Sequence, residues 1–152
     1  MIKKILIAFF LLYLFYALGQ LSISYYRVYL SHAEAKEQLN KEKLAQEKIS
    51  KMSVPEIIEY VAPTSKHKEV AKKIVKCESS NNPNAINYND GGKGKHSVGA
   101  WQFQEATFDG WSKKMGQELD YYSPLDQSKV GMYMLDHGQI HQWSCSRILG
   151  MI

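Results

Sequence analysis

Lys76-Cys77-Glu78-Ser79-Ser80-Asn81-Asn82-Pro83-Asn84-Ala85 is the stretch on which the fold reading turns. Upstream, between Lys66 and Ser79, Val70, Ile74 and Cys77 recur at spacings of four and three, the period of one helical face. Downstream, Ser79 to Pro83 collects side chains that compete with the helical backbone for hydrogen bonds, and then a proline that cannot continue a helix. The chain reads as a helix stopping at a turn that bears a carboxylate, with a cysteine just before it. A carboxyl group there loses part of its hydration to helix packing, and a partly desolvated acid holds its proton more readily than one in water. Such an acid can protonate a glycosidic oxygen as the bond breaks. On position alone, an ordinary exposed helix-end glutamate accounts for Glu78 more simply.

Beyond this turn the residues change character. Asn84 to Phe103 is dominated by Asn, Asp and Gly, notably Asn87-Tyr88-Asn89-Asp90-Gly91-Gly92, and predicts loop or a short irregular hairpin. Helix returns from Gln104 to Met115, with Phe108, Trp111 and Met115 on one face and Gly116 as its stop. Ser123-Pro124-Leu125-Asp126 starts a last long helix, which carries Val130, Tyr133 and Met134 and ends at Gly138. On the N-terminal side, Ser53-Val54-Pro55-Glu56 places a capping residue, a proline and an acid in the order that opens a helix, expected through Tyr60. The expected class is α+β, mostly α, over residues 53–152.

Two segments precede this domain. Ile5 to Tyr26 is a run of 22 residues without a charge, and a membrane-spanning helix needs about 20. A cleaved signal peptide is the competing reading, with Ala17 and Gly19 as its small residues. Apolar character continuing through Leu21, Ile23, Tyr25 and Tyr26 favours an uncleaved anchor over residues 1–27. Either way the rest of the chain is expected outside the cytoplasm, in the periplasm or at the cell surface, and secreted if the segment is removed. Residues 28–52 are rich in helix formers without Gly or Pro, and pair Glu37 with Lys41 and Glu47 with Lys51 at the i, i+4 spacing. They read as a solvated helical stalk about 30 Å long, with no sustained heptad to make a coiled coil.

Charge excludes one class of partner. Up to Met52 there are eight Lys/Arg and four acids, whereas from Ser53 onward there are eleven of each. A nucleic-acid-binding domain concentrates positive charge on its folded part, and this one carries no net charge there. Cys77 and Cys145 lie far apart inside the domain. In an exported chain an isolated pair is most simply a disulfide, with two buried thiols as the alternative and zinc poorly served without a matching His pair.

Lys76 to Ala85, followed by Ser97-Val98-Gly99-Ala100-Trp101-Gln102-Phe103, resembles the soluble lytic transglycosylase (SLT-type) domain of the lysozyme-like superfamily. That family carries a Glu-Ser pair at a helix end, then Asn-Pro-x-Ala, then Ser/Ala-x-Gly-x-x-Gln about twenty residues on. Gly99 and Gln102 stand at its Gly and Gln. The chain is also similar to the catalytic domain of resuscitation-promoting factors, where a Cys precedes the catalytic Glu. There a Gly-x-x-Gln-Phe-like segment follows and a late Trp-x-x-Cys closes the fold, matched here by Gln102-Phe103 and Trp143-Ser144-Cys145.

The resemblance implies a lysozyme-like fold with a small irregular β element beside the cleft. It implies cleavage of peptidoglycan between N-acetylmuramic acid and N-acetylglucosamine, with Glu78 as general acid and then base. It assigns Ser97 and Gln102 to the sugar-binding cleft. Trp101 stands where the family commonly has Met, and either stacks on a sugar face or sits in the core. Tyr133 falls near the place of a cleft tyrosine.

A hydrolysing lysozyme needs a second carboxylate, for which Asp90, Glu105 and Asp109 are the candidates, Asp90 best placed in its Gly-rich loop. The transglycosylases dispense with it. Other signals fail: His137 and His141 lack the Glu of a zinc-protease helix, and the Asn-rich loop lacks the last acid of a calcium loop. Ser97 has no His/Asp context for a nucleophile. No cofactor and no metal ion is expected; the expected partners are peptidoglycan strands, the membrane through the N-terminal helix, and an envelope or secretion complex. The rival readings are a hydrolytic muramidase of the same fold and an idle membrane-anchored glycan-binding module.

Overall fold

The computed structural model describes the backbone of residues 2–89 and 95–152, and their side chains except at positions 2–12 and 17. Contacts divide the chain into two units, Met1–Lys48 and Ile49–Ile152. The first unit lies on α1 (Ile2–Ser50), which runs without interruption from the apolar run through the expected stalk. Glu37 and Lys41 pair at 2.7 Å as their spacing predicts, worth about 0.3–0.5 kcal/mol for two exposed side chains one turn apart. Among the described residues no helix is long and apolar enough to cross a membrane. The span expected at 1–27 thus finds no support in a described helix, and side chains 5–12 and 17 of its apolar run lie outside the described residues.

In the second unit, α2 (Val54–Val61), α3 (Lys68–Ser79), α4 (Glu105–Met115) and α5 (Pro124–Asp136) surround a small sheet, with a 3-10 turn at Ile140–Gln142 and a short α6 (Ser144–Ile148) after them. The helix starts follow the sequence signals. Glu56 Oε2 accepts the Ser53 N–H at 2.7 Å and its hydroxyl at 2.6 Å. Ser123 Oγ accepts the Asp126 N–H at 3.3 Å. Gly116 closes α4 at φ +68°, left-handed backbone that glycine takes without penalty. The loop expected between Asn84 and Phe103 contains three two-residue strands: β1 (Ile86–Asn87), β2 (Ser97–Val98) and β3 (Phe103–Gln104). They form an antiparallel sheet in the order β1-β2-β3, with Ile86 opposite Val98 and Val98 opposite Phe103.

The core is built on α5, which packs against α2, α3 and α4. At its centre is Trp101, 0% exposed, stacked on Phe103 at 6.2 Å and tilted against Trp143 at 5.3 Å. Trp101 Nε1–H donates to Ser128 Oγ at 3.2 Å, so the ring is buried with its one polar atom satisfied. The inward face of α3 is turned slightly from the expected one. Ala71, Ile74 and Val75 are buried, while Cys77 is exposed at the helix edge.

Cys77 and Cys145 form the expected disulfide, with 6.0 Å between Cα atoms and a sequence separation of 68. Closing a loop of that length restricts the unfolded chain by about 4 kcal/mol on the loop-entropy estimate.

A second tie joins α2 to α3 by charge. Glu59 accepts from Lys68 Nζ at 2.7 Å and from Lys72 Nζ, which also reaches Glu69 at 2.8 Å. The two lysines hold the Glu59 carboxyl below the usual glutamate range, and the carboxylates hold Lys72 above the usual lysine range. A depressed carboxyl stabilises the fold above its unfolded value and loses that contribution as pH falls through the folded value. Lys72 acts in the other direction, its contribution fading only as pH rises through the raised value. Urea midpoints measured from neutral pH down to about pH 3 are therefore expected to fall less steeply for Glu59→Gln than for wild type; parallel curves would show that the cluster contributes nothing.

Candidate active site

Glu78 is the penultimate residue of α3, and the chain turns sharply behind it. Ser80 and Asn81 take φ +56° and +64°, the left-handed conformation that Asn tolerates better than most residues. Asn82 Oδ1 accepts the Asn84 N–H at 2.9 Å, an Asx turn that carries the chain through Pro83. Ser79 Oγ lies 3.0 Å from both Val75 O and Ala100 O, tying the helix end to the β2–β3 turn.

That turn supplies the facing wall. Gly99 and Gln102 both have positive φ, +78° and +52°, and the Gln102 N–H donates to Gly99 O at 3.2 Å. Gln102 Nε2 donates to Gly99 O at 2.8 Å, so the side chain is braced against its own turn. Below it, the Tyr121 hydroxyl donates to Phe103 O at 2.7 Å. Burial pushes that phenol up to about 12, so it remains a donor across the working pH range and pins β3.

Glu78 and Gln102 line one cleft of about 340 Å³ together with Phe103, Gln104, Thr107, Met134, Gln142, Trp143 and Ser144. Glu78 is half-buried, and its Oε1 accepts the Cys145 N–H at 3.1 Å and the Ser144 hydroxyl at 3.4 Å. Both donors belong to the segment that the disulfide brings beside Cys77. Amide, hydroxyl and carboxylate groups dominate the cleft's polar lining, and Phe103, Met134 and Trp143 give it an apolar floor. That mixture suits a sugar, which presents hydroxyls and acetamides at its edge and C–H groups on its faces.

Three of the expected cleft residues stand elsewhere. Ser97 is 0% exposed on β2 and does not line the cleft. Trp101 sits in the core, and its carbonyl accepts Trp143 Nε1–H at 3.0 Å; sugar stacking is excluded by its burial. Tyr133 is tilted against His137 at 4.0 Å and meets Trp111 edge-on at 6.2 Å, beside a different depression that Tyr60 and Met115 also line. One residue along α5 is a rotation of about 100°, and it is Met134 that faces the cleft.

Among the described residues Glu78 is the one carboxylate on the cleft lining. Glu105 lies in a neighbouring depression with Lys95 and His96, which shares Gln104 with the cleft. Asp109 is exposed on α4 and lines neither. Asp90 lies outside the described residues. No group of His, Cys, Asp and Glu able to hold a metal ion occurs among the described residues.

The sequence reading missed Gln104, Thr107, Gln142 and Ser144. A signal existed for the last two: a bridge from Cys145 to the residue before Glu78 must bring the neighbours of Cys145 within reach of that carboxylate.

Across residues 56–144 the chain matches a family model described as Transglycosylase SLT domain. No curated protein and no solved structure matches. The similarity to resuscitation-promoting factors has no counterpart among these matches.

Proposed function

The chain belongs to the transglycosylase SLT domain family, whose activity is cleavage of peptidoglycan glycan strands, and from that premise we propose that this protein cleaves the bond between N-acetylmuramic acid and N-acetylglucosamine with Glu78 as its single acid and base. The observation that carries the proposal is the cleft itself: one half-buried carboxylate, held by two donors, opening onto a polar groove with no second carboxylate among the described residues.

The chemistry runs in two proton transfers through one group. Protonated Glu78 gives its proton to the glycosidic oxygen as the bond to the muramic anomeric carbon breaks, leaving an oxocarbenium-like centre and a carboxylate. The carboxylate then takes the proton of the same sugar's 6-hydroxyl, and that oxygen closes on the anomeric carbon as a 1,6-anhydro ring. The proton returns to Glu78, and no water is consumed. Holding the 6-hydroxyl where it attacks is positional work, suited to a pre-formed cleft.

The uncharged run from Ile5 to Tyr26 makes the protein, in this reading, a membrane-anchored enzyme with its catalytic domain outside the cytoplasm. A tether confines a hazardous activity to wall within reach of the membrane, for remodelling or for a passage through which an envelope or secretion complex is built.

Release of soluble fragments from insoluble peptidoglycan tests the enzyme reading. The full chain in nonionic detergent is expected to solubilise the wall, and the Glu78→Gln chain is not. Binding to the wall without release would contradict the proposal and favour an idle glycan-binding module.

A further inference from the structure

The Cys77–Cys145 bridge is placed unlike an ordinary staple. One half-cystine immediately precedes Glu78 in the chain; the other is the residue whose own backbone N–H donates to Glu78 Oε1 at 3.1 Å. Ser144, beside it, adds its hydroxyl at 3.4 Å. No other partner of the Glu78 carboxylate is found among the described residues. The same short segment, Gln142 to Ser144, forms one wall of the cleft. It follows α5 through Gly138, at φ +75°, and a single 3-10 turn. Trp143 ties it to the core through Trp101 O, and the bridge ties it to α3.

Resting on the reading of Glu78 as the acid, we infer that the disulfide and Ser144 are positioning devices for that carboxylate: they hold the Cys145 amide and the Ser144 hydroxyl against Oε1, and so set the orientation from which Oε2 meets the glycosidic oxygen. Without the bridge, the covalent tie of Cys145 to the end of α3 is lost, and the segment from Gln142 to Cys145 keeps the Trp143 bond to Trp101 O and the local backbone bonds of its own turns. Glu78 then rotates freely at its helix end, and productive geometry becomes one orientation among several. Reactions of this kind lose rate steeply with small displacements of the reacting group. Gln102, Gln104 and Thr107 line the same cleft from elements that the bridge does not tie, so turnover is expected to suffer more than binding.

The test uses the full chain in detergent. Treatment with a dithiol reductant breaks the S–S bond and adds two electrons and two protons to give two thiols, while the dithiol closes to its cyclic disulfide. At a temperature where tryptophan fluorescence shows Trp101 and Trp143 still buried, kcat on soluble glycan fragments is expected to fall at least tenfold with KM changed less than twofold. Reoxidation is expected to restore it. Cys77→Ser/Cys145→Ser is expected to match the reduced enzyme, while Ile58→Ala, a core change on α2 away from the cleft, lowers the melting temperature and leaves kcat alone.

Should the bridge-free chain not fold, Ser144→Ala decides, because it keeps the disulfide and alters an exposed side chain. It is expected to lower kcat severalfold, with Ser144→Thr restoring it. A folded, reduced enzyme with wild-type kcat overturns the inference, as does unchanged kcat in Ser144→Ala when the bridge-free chain is unfolded. Failure of the underlying reading looks different: Glu78→Gln would then be as active as wild type, whatever the state of the bridge.

Discussion

Glu78→Gln is expected to reduce glycan cleavage at least a thousandfold, a loss of about 4 kcal/mol of transition-state stabilisation. General acid–base assistance by one positioned group contributes about a hundred- to ten-thousandfold. Here one group is asked for both transfers, so its loss falls on both halves of the reaction. Glutamine keeps the volume of the side chain and can still meet the Cys145 amide through its carbonyl oxygen. Thermal unfolding of the variant should therefore match wild type, separating chemistry from folding. Glu105→Gln and Asp109→Asn, whose side chains line other surfaces, are expected to retain wild-type rates. Rates are best compared on soluble glycan fragments, where access to an insoluble wall does not mask the chemical step. A full-rate Glu78→Gln enzyme would remove the carboxylate from the mechanism.

The largest stability effect is expected from Gly99→Ala, which should destabilise the domain by about 3 kcal/mol or more. Two independent costs meet at this residue. Its φ of +78° lies in the left-handed region, where a Cβ costs about 1–2 kcal/mol. The added carbon would also lie 2.2 Å from Gln127 Oε1 and 2.3 Å from its Nε2. Gln127 cannot simply move away. It is 1% exposed, and its Nε2 donates to Val98 O at 3.2 Å and Tyr121 O at 2.8 Å, tying α5 to the sheet. Displacing it leaves buried carbonyls unsatisfied, at about 1–3 kcal/mol each.

Because the clash is with one side chain, Gly99→Ala and Gln127→Ala should be non-additive. The double variant should be less destabilised than the sum of the single ones by about 1 kcal/mol or more in urea unfolding. Additive losses would show that strain at Gly99 alone sets the cost. Since Gly99 O also braces Gln102 Nε2, residual folded Gly99→Ala protein should bind glycan more weakly.

What could be read without coordinates was the order of elements and the local chemistry of their ends. Ser123, Gly116 and the Asn-Pro turn after Glu78 act within a few residues of themselves, so sequence alone exposes them. Gly99 sits at a turn whose positive φ favours glycine, whereas Glu78 and Gln102 were singled out by the resemblance to the SLT-type domain and not by local geometry. The placement of Ser97 and Tyr133 away from the cleft, and the choice at Trp101 between cleft and core, could not be read locally. Whether a residue in the β2–β3 turn faces cleft or core depends on what α5 places behind it. Gly131 lets the Trp101 ring close onto α5, where an added Cβ would come within 2.6 Å of it, and no local pattern announces that contact. Tyr133 and Met134 are adjacent, largely apolar side chains, separated by about a quarter-turn of helix. The wall from Gln142 to Ser144 reaches Glu78 across 66 residues of chain, and only the cysteine pair hinted at it.

The most direct test of the single-carboxylate account is where the oxygen at the new glycan end comes from. Digestion in water enriched in heavy oxygen, followed by mass spectrometry of the earliest fragments, reads it without ambiguity. If Glu78 serves both transfers, the muramic acid ends are 1,6-anhydro sugars, lighter by one water than reducing ends and carrying no heavy oxygen. Fragments with reducing ends and one heavy oxygen at the anomeric carbon would contradict the account, because water and not the 6-hydroxyl would then have attacked.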